Sequence, residues 1–266
     1  MAQAVTVVLC LIALAALAAP WIAPYDPSAQ LDIVQLKNAS PSGAHLLGTD
    51  VYSRDVLSRL LFGARTSLVV GLAGALVAVG LAAAWGTIAA FSSDTMGRAL
   101  MGLSDASRAV PQKIVLLAAI LLIPHPTPAN LALLLGATSW FAMSRVVFTQ
   151  VQTLRSRDFL TASRALGVTP WQAMRTHIAP HLLGTVTALG TVLVADLMAA
   201  EAGLSFLGLG VRAPEASWGS MLQDGVPYLS SAWWVAAAPS TLLVITVLCI
   251  AIVADRLHEA RVGTSR

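Results

Sequence analysis

Charge is scarce in this sequence. Only 11% of its 266 residues are charged, whereas 57% are hydrophobic. A soluble domain rarely carries so little charge, so a water-soluble globule is excluded. Cysteine is scarce too. Cys10 and Cys249 both fall inside apolar runs, so no disulfide framework is expected and both thiols are read as buried. There is no GxxxxGK[ST] phosphate loop, and the chain is not expected to bind or hydrolyse ATP. HExxH, CxxC and GxSxG are missing as well, which leaves an enzyme poorly supported. His177 and His181 stand at i, i+4, but Pro180 lies between them with no acidic partner near. They read as helix-end histidines, and no metal, cofactor or catalytic residue is expected in this chain. A net charge of +3 implies no nucleic-acid partner.

What is present is a series of apolar runs of about 20 residues, the length that crosses a bilayer. They are read at 5–23, 67–91, 98–123, 131–148, 182–200 and 234–253, which predicts an all-α polytopic membrane protein with six transmembrane helices. The first run, residues 1–24 with its flanks, has no Arg or Lys before it, so it reads as a retained helix and not a signal peptide. Residues 25–66 are mostly polar and predict an extracytoplasmic loop. Within them Val56, Leu57, Leu60 and Leu61 form a stripe at helical spacing, with Asp55 and Arg59 on the wet side and Arg54 at its edge. That pattern predicts an amphipathic interfacial helix.

Gly71, Gly74, Gly80 and Gly86 give the second span a small-residue face on which helix backbones can approach closely. The uncharged part of the third span, 114–123, is too short to cross at ~1.5 Å per residue. That helix therefore carries Asp105, Arg108 and Lys113 into or near the membrane. Asp105 and Arg108 can pair at i, i+3. They either line a translocation path or pair and snorkel at the cytoplasmic interface. Asp196 lies within the fifth span and Glu201 at its end. Residues 201–229 are glycine-rich, with Pro214 and Pro227 as breakers, so no long regular helix fits all of them. Trp233 and Trp234 read as interfacial anchors of the last span. With both termini cytoplasmic, nine basic residues fall inside and five outside, the favoured sense.

Residues 158–180 interrupt the apolar pattern. Asp158 can cap one short helix, and Gly167 sits where a left-handed residue ends it. Thr169 caps a second, with Pro170 at its first position and Pro180 as its stop. Trp171, Met174 and Ile178 share one face of it. By composition this is a cytoplasmic loop.

Three stretches resemble one family. ASRALG followed by HIAP resembles the EAA loop of ABC-importer permeases. HLLGTDVYSRDVLSRLLFGARTSL resembles the GTDxxGRDxxSRLxxGARxSL signature of the dipeptide, oligopeptide and nickel subgroup, with Ser53 where the signature has glycine. APYDP at 23–27 also fits. EAGLSFLGLGVRAPEASWGSML resembles that subgroup's ExSLSFLGLGxxPPxxSWGxML. Asp105 and Pro111 match its spacing, whereas Arg108 and Lys113 stand where relatives are apolar.

The chain is thus similar to a C-type permease subunit of such importers. The resemblance implies a type I permease fold: a core over 67–256, a cytoplasmic coupling helix within 151–181 and a cytoplasmic tail at 257–266. It implies a multi-pass place in the bacterial plasma membrane. The implied partners are a homologous second permease, two ATP-binding subunits, an extracytoplasmic solute-binding protein and the lipid bilayer. Thr161, Ala162 and Ser163 stand at the acidic-Ala-Ala triplet, followed by Arg164, Gly167 and Pro180 as coupling positions. The acidic residue is replaced by Thr161, so shape and not charge is expected to carry coupling, and a charged residue at Gly167 is expected to uncouple. Asp105, Arg108, Asp196 and Glu201 are the candidate path or gate residues. Peptides are the default cargo, with nickel as an alternative. Two other classes stay open: an ion-gradient-driven transporter using Asp105, Asp196 and Glu201 as ion sites, and a membrane subunit with no path.

Overall fold

The computed structural model describes residues 2–123, 126–158 and 167–264. These residues are helical, with a single isolated bridge between Thr49 and Asp55. Helix α1 is Ala2–Ile22, and α2 is Val56–Phe91. At 36 residues, α2 is ~54 Å long and is the spine of the fold. Helices α3 (Asp94–Ala109), α4 (Gln112–Leu121), α5 (Pro128–Ser139) and α6 (Phe141–Arg155) follow. After residue 167 come a short α7 (Pro170–Ala173), a π turn (Met174–Ile178) and α8 (Ala179–Phe206). Helix α9 (Trp218–Gly225) and α10 (Trp233–Thr264) complete the chain.

Four helical stretches among the described residues are long and apolar enough to span a membrane, or five if the pair α5–α6, bent by 51°, is one span. The expected third span is in fact two helices. Val110 is extended (φ −84, ψ 127) because the ring of Pro111 bars its helical conformation, so α3 ends there. The expected first, second, fifth and sixth spans each coincide with one long apolar helix (α1, α2, α8 and α10), and the fourth with the bent pair α5–α6. The amphipathic helix expected before α2 is not separate, since its stripe is the opening of α2 itself.

The small-residue face of α2 packs as glycine allows. A Cβ on Gly136 would lie 2.6 Å from the Gly74 carbonyl oxygen, and one on Gly86 would lie 2.6 Å from that of Ser144. Helices α5 and α6 therefore cross α2 at backbone contact, the close approach that lets helices associate in lipid. Gly80, in contrast, faces open space. Cys249 is buried, but Cys10 lies exposed on α1, so only one thiol meets the expectation.

The polar loop before α2 is tied down. Its wet-side residues Asp55 and Arg59 are in fact buried, and so is Arg54 at the edge of the stripe. Asp55 caps α2 by accepting from Ser58 N at 2.8 Å and faces His45 Nδ1 at 2.9 Å. Arg54 meets Asp50 at 2.7 Å and Asp224 at 2.6 Å, and Arg59 reaches the same two carboxylates at 3.4 and 3.2 Å. Two arginines and two aspartates thus alternate in a square between this loop, α2 and α9.

Ser53 lies beside this square with φ +58 and is fully buried, its hydroxyl without a partner. The glycine of the resembled signature thus has a physical reason, because a left-handed backbone there strains any side chain. Ser53→Gly is expected to stabilise the protein by about 1 kcal/mol, since relieved strain and one fewer unpaired hydroxyl exceed glycine's entropy cost. The thermal midpoint of the purified protein in detergent, compared with Ser53→Ala, checks this.

Candidate functional site

The stretch read as a docking element has a solid base. Gly167 has φ +85 and is exposed, with none of the described residues within 4 Å of where a Cβ would be. Two residues later Thr169 N donates to Gln172 Oε1 at 3.0 Å, and Gln172 N donates to Thr169 Oγ1 at 3.3 Å. This reciprocal capping box starts α7 as the sequence predicts, with Pro170 at its first position.

Pro180 does not stop the helix, contrary to the expectation from sequence. The chain runs on as one stretch from Trp171 to Phe206. The π turn just before Pro180 explains this. Ala179 N donates to Met174 O, five residues back, and this wider turn admits a proline without a break. The same turn splits the expected apolar face. Ile178 is buried and Met174 half-buried, whereas Trp171 is 73% exposed. One extra residue in the turn rotates the later side chains away from the face of the earlier ones.

Ala173, Ile178 and Leu182 bury themselves against Ala90, Val147 and Val151, with Phe91, Phe148 and Leu154 around them. Arg155 donates to the Ala90 carbonyl and lies 4.8 Å over the Phe91 ring. A second, small core therefore fixes the base of this stretch to the ends of α2 and α6, while Gly167 and Trp171 project outward. Thr161, Ala162, Ser163 and Arg164 lie outside the described residues.

The four path candidates are not brought together. Asp105 pairs with Arg145 of α6, a contact between helices, and not with Arg108 as the spacing suggested. Arg108 is exposed and lines a cavity between α3, α4, α5 and α6. Asp196 is exposed. Glu201 is 0% exposed and closes a seam. It accepts from Ser67 Oγ of α2 at 2.9 Å and from Ser205 Oγ at 2.6 Å. Ser205 Oγ in turn accepts from Val211 N at 3.0 Å, and Ser67 Oγ from Trp218 N at 3.4 Å. Trp218, fully buried, donates its Nε1–H to the Leu60 carbonyl at 3.1 Å. Gly219 sits where a Cβ would be 2.4 Å from the Ala202 carbonyl oxygen. The SFLGLG and SWG segments thus wrap one carboxylate and join α2, α8 and α9.

Sequence reasoning missed this seam and the arginine–aspartate square. Asp224 shows no periodic signal. Burial raises its carboxyl pKa above the usual range, although Arg59 and Arg54 pull it down.

Comparison with known proteins agrees with this architecture. Residues 60–262 match the family described as binding-protein-dependent transport system inner membrane component. Residues 1–41 match the N-terminal TM domain of oligopeptide transport permease C. The chain is 35% identical to the di/tripeptide transport system permease protein DppC of Pseudomonas aeruginosa, over 94% of this chain and 84% of that one. It is 33% identical to the oligopeptide transport system permease protein OppC of Bacillus subtilis, over 96% and 82% respectively. Among solved structures, the inward-facing MetNI methionine ABC transporter matches with a TM-score of 0.62 at 20% identity, covering 77% of this chain and 96% of that one. That last likeness concerns the fold.

Proposed function

The chain belongs to the family of binding-protein-dependent transport system inner membrane components, and on that premise we propose that it forms half of the path of an ATP-driven importer of di- and oligopeptides. Its relatives named for di/tripeptide and oligopeptide transport support the cargo. A second permease would supply the other half, two cytoplasmic ATPases the energy and a solute-binding protein the delivery. The arginine distribution supports cytoplasmic termini, which puts Gly167 and Trp171 where an ATPase could reach them.

The observation that carries the coupling role is the small core under residues 173–182. It joins the exposed turn to the ends of α2 and α6. A push on the turn would pass into the 36-residue α2 and into α6 as a rigid-body tilt, since packed cores shift between discrete arrangements and do not deform smoothly. ATP binding elsewhere would thereby drive alternating access in this chain.

The test is uptake of a labelled tripeptide into proteoliposomes holding the two permeases and two ATPases, with binding protein added. Uptake is expected to require ATP and to stop with vanadate. Uptake driven by an ion gradient without ATP would contradict the proposal.

A further inference from the structure

Two helices are broken side by side. α3 and α4, of 16 and 10 residues, measure ~24 and ~15 Å around the break at Pro111. α5 and α6, of 12 and 15 residues, measure ~18 and ~22 Å around the break at Trp140. Where each pair makes one crossing, its break lies ~15–18 Å from one end of the crossing and ~22–24 Å from the other. Gln112 Nε2 joins them by donating to Ser139 Oγ at 2.7 Å. Between them lies an open cavity of about 320 Å³, lined by Ser107, Arg108, Gln112, Thr138, Ser139 and Phe141 among others.

Among the described residues Arg108 is the one charged residue lining this cavity. Asp105, one turn earlier, is committed to Arg145. Among the described residues Arg108 forms no ion pair. Arg108 stands in the last turn of α3, at the break, and where α3 and α4 make one crossing a cation there is costly against hydrocarbon. Broken backbone at membrane depth is likewise tolerated only against protein or a water-lined cavity. In such a crossing both features favour an aqueous route past this cavity. The start of α4, which carries no side-chain cap, adds its positive end to the same wall.

We propose that this cavity is a carboxylate subsite of the translocation path, with Arg108 as its cation, and that it favours substrates bearing a free carboxylate. The proposal rests on the peptide-permease reading and deepens it. A guanidinium presents two parallel N–H donors that match a carboxylate. Thr138, Ser139 and Gln112 provide further polar contacts for the passing chain.

The test uses the complete complex in proteoliposomes with a saturating excess of loaded binding protein, so that passage and not capture is measured. The cargoes are trialanine, its C-terminal amide, and an amidated tripeptide carrying one glutamate. Arg108→Gln is expected to slow trialanine uptake about tenfold, the scale of one lost charge-assisted bond. Arg108→Lys should retain most of it and Arg108→Glu should abolish it, with the thermal midpoint unchanged throughout. The alanine amide, already slow in the wild type, should not slow further in Arg108→Gln. Faster passage of the glutamyl amide than of the alanine amide would extend the subsite to side-chain carboxylates, and equal rates would confine it to the terminus. If wild-type amide uptake is undetectable, the charge series on trialanine decides. Unchanged trialanine uptake in Arg108→Gln, or an equal fall for acid and amide, would overturn the subsite alone. No ATP-driven uptake of any peptide by the wild type would instead overturn the peptide reading on which it rests.

Discussion

Gly167→Val is expected to cut ATP-driven uptake at least about tenfold while the complex still assembles and still hydrolyses ATP. No described residue lies within 4 Å of a Cβ there, so the substitution acts through the backbone at φ +85. Left-handed backbone costs a side chain roughly 1–2 kcal/mol, and more for a β-branched one. Against a folding stability of about 5–15 kcal/mol, that strain does not unfold the protein. It re-aims an exposed turn whose direction, under the coupling proposal, an ATPase would read. Gly167→Asn should retain most uptake, because asparagine tolerates the left-handed region. Gly167→Asp has the same backbone tolerance and adds a charge. Its uncoupling, if it exceeds that of Asn, measures the charge term in a basic stretch. Uptake and phosphate release followed in the same vesicles separate coupling from assembly.

Glu201→Ala is expected to destabilise the protein by about 3–5 kcal/mol, because it removes the acceptor of two buried hydroxyls and leaves a cavity. The Ser67 and Ser205 hydroxyls would both lose their acceptor, and Ser205 Oγ would hold Val211 N less firmly. Glu201→Gln keeps the volume and one acceptor, so a smaller loss of about 1–2 kcal/mol is expected. The thermal midpoint in detergent and the yield in membranes report both. A variant with an unchanged midpoint but abolished uptake would return Glu201 to the path, the role that its place at the end of a span suggests.

Much of the architecture is legible in the apolar runs, because the bilayer forces helices of bilayer length. The Thr169 cap and the left-handed Gly167 are legible because each depends on local backbone chemistry alone. Pro180 misleads for a different reason. A proline normally ends a helix, but a π turn upstream leaves room for its ring, and nothing in residue spacing announces that turn. Arg59 reads as a wet-face residue and Arg54 as an edge residue because their partner Asp224 lies 165 and 170 residues away. Periodicity reports which residues share a side, not what waits on that side. Arg145 escapes for the same reason: its place across the fold from Asp105 is tertiary, while the i, i+3 alternative with Arg108 is local and visible. Ser53 shows the converse. Against the glycine of the resembled signature it looks like a dispensable mismatch until the backbone angle gives that glycine a cause.

The central claim is that the turn at Gly167, seated on the core of Ala173, Ile178 and Leu182, passes motion from an ATPase to α2 and α6. The most direct measurement is the number of peptides imported per ATP hydrolysed, in vesicles containing all partners, for wild type and Gly167→Val. A ratio that collapses while hydrolysis persists is the predicted result. An unchanged ratio, or uptake that persists without ATP, would contradict it.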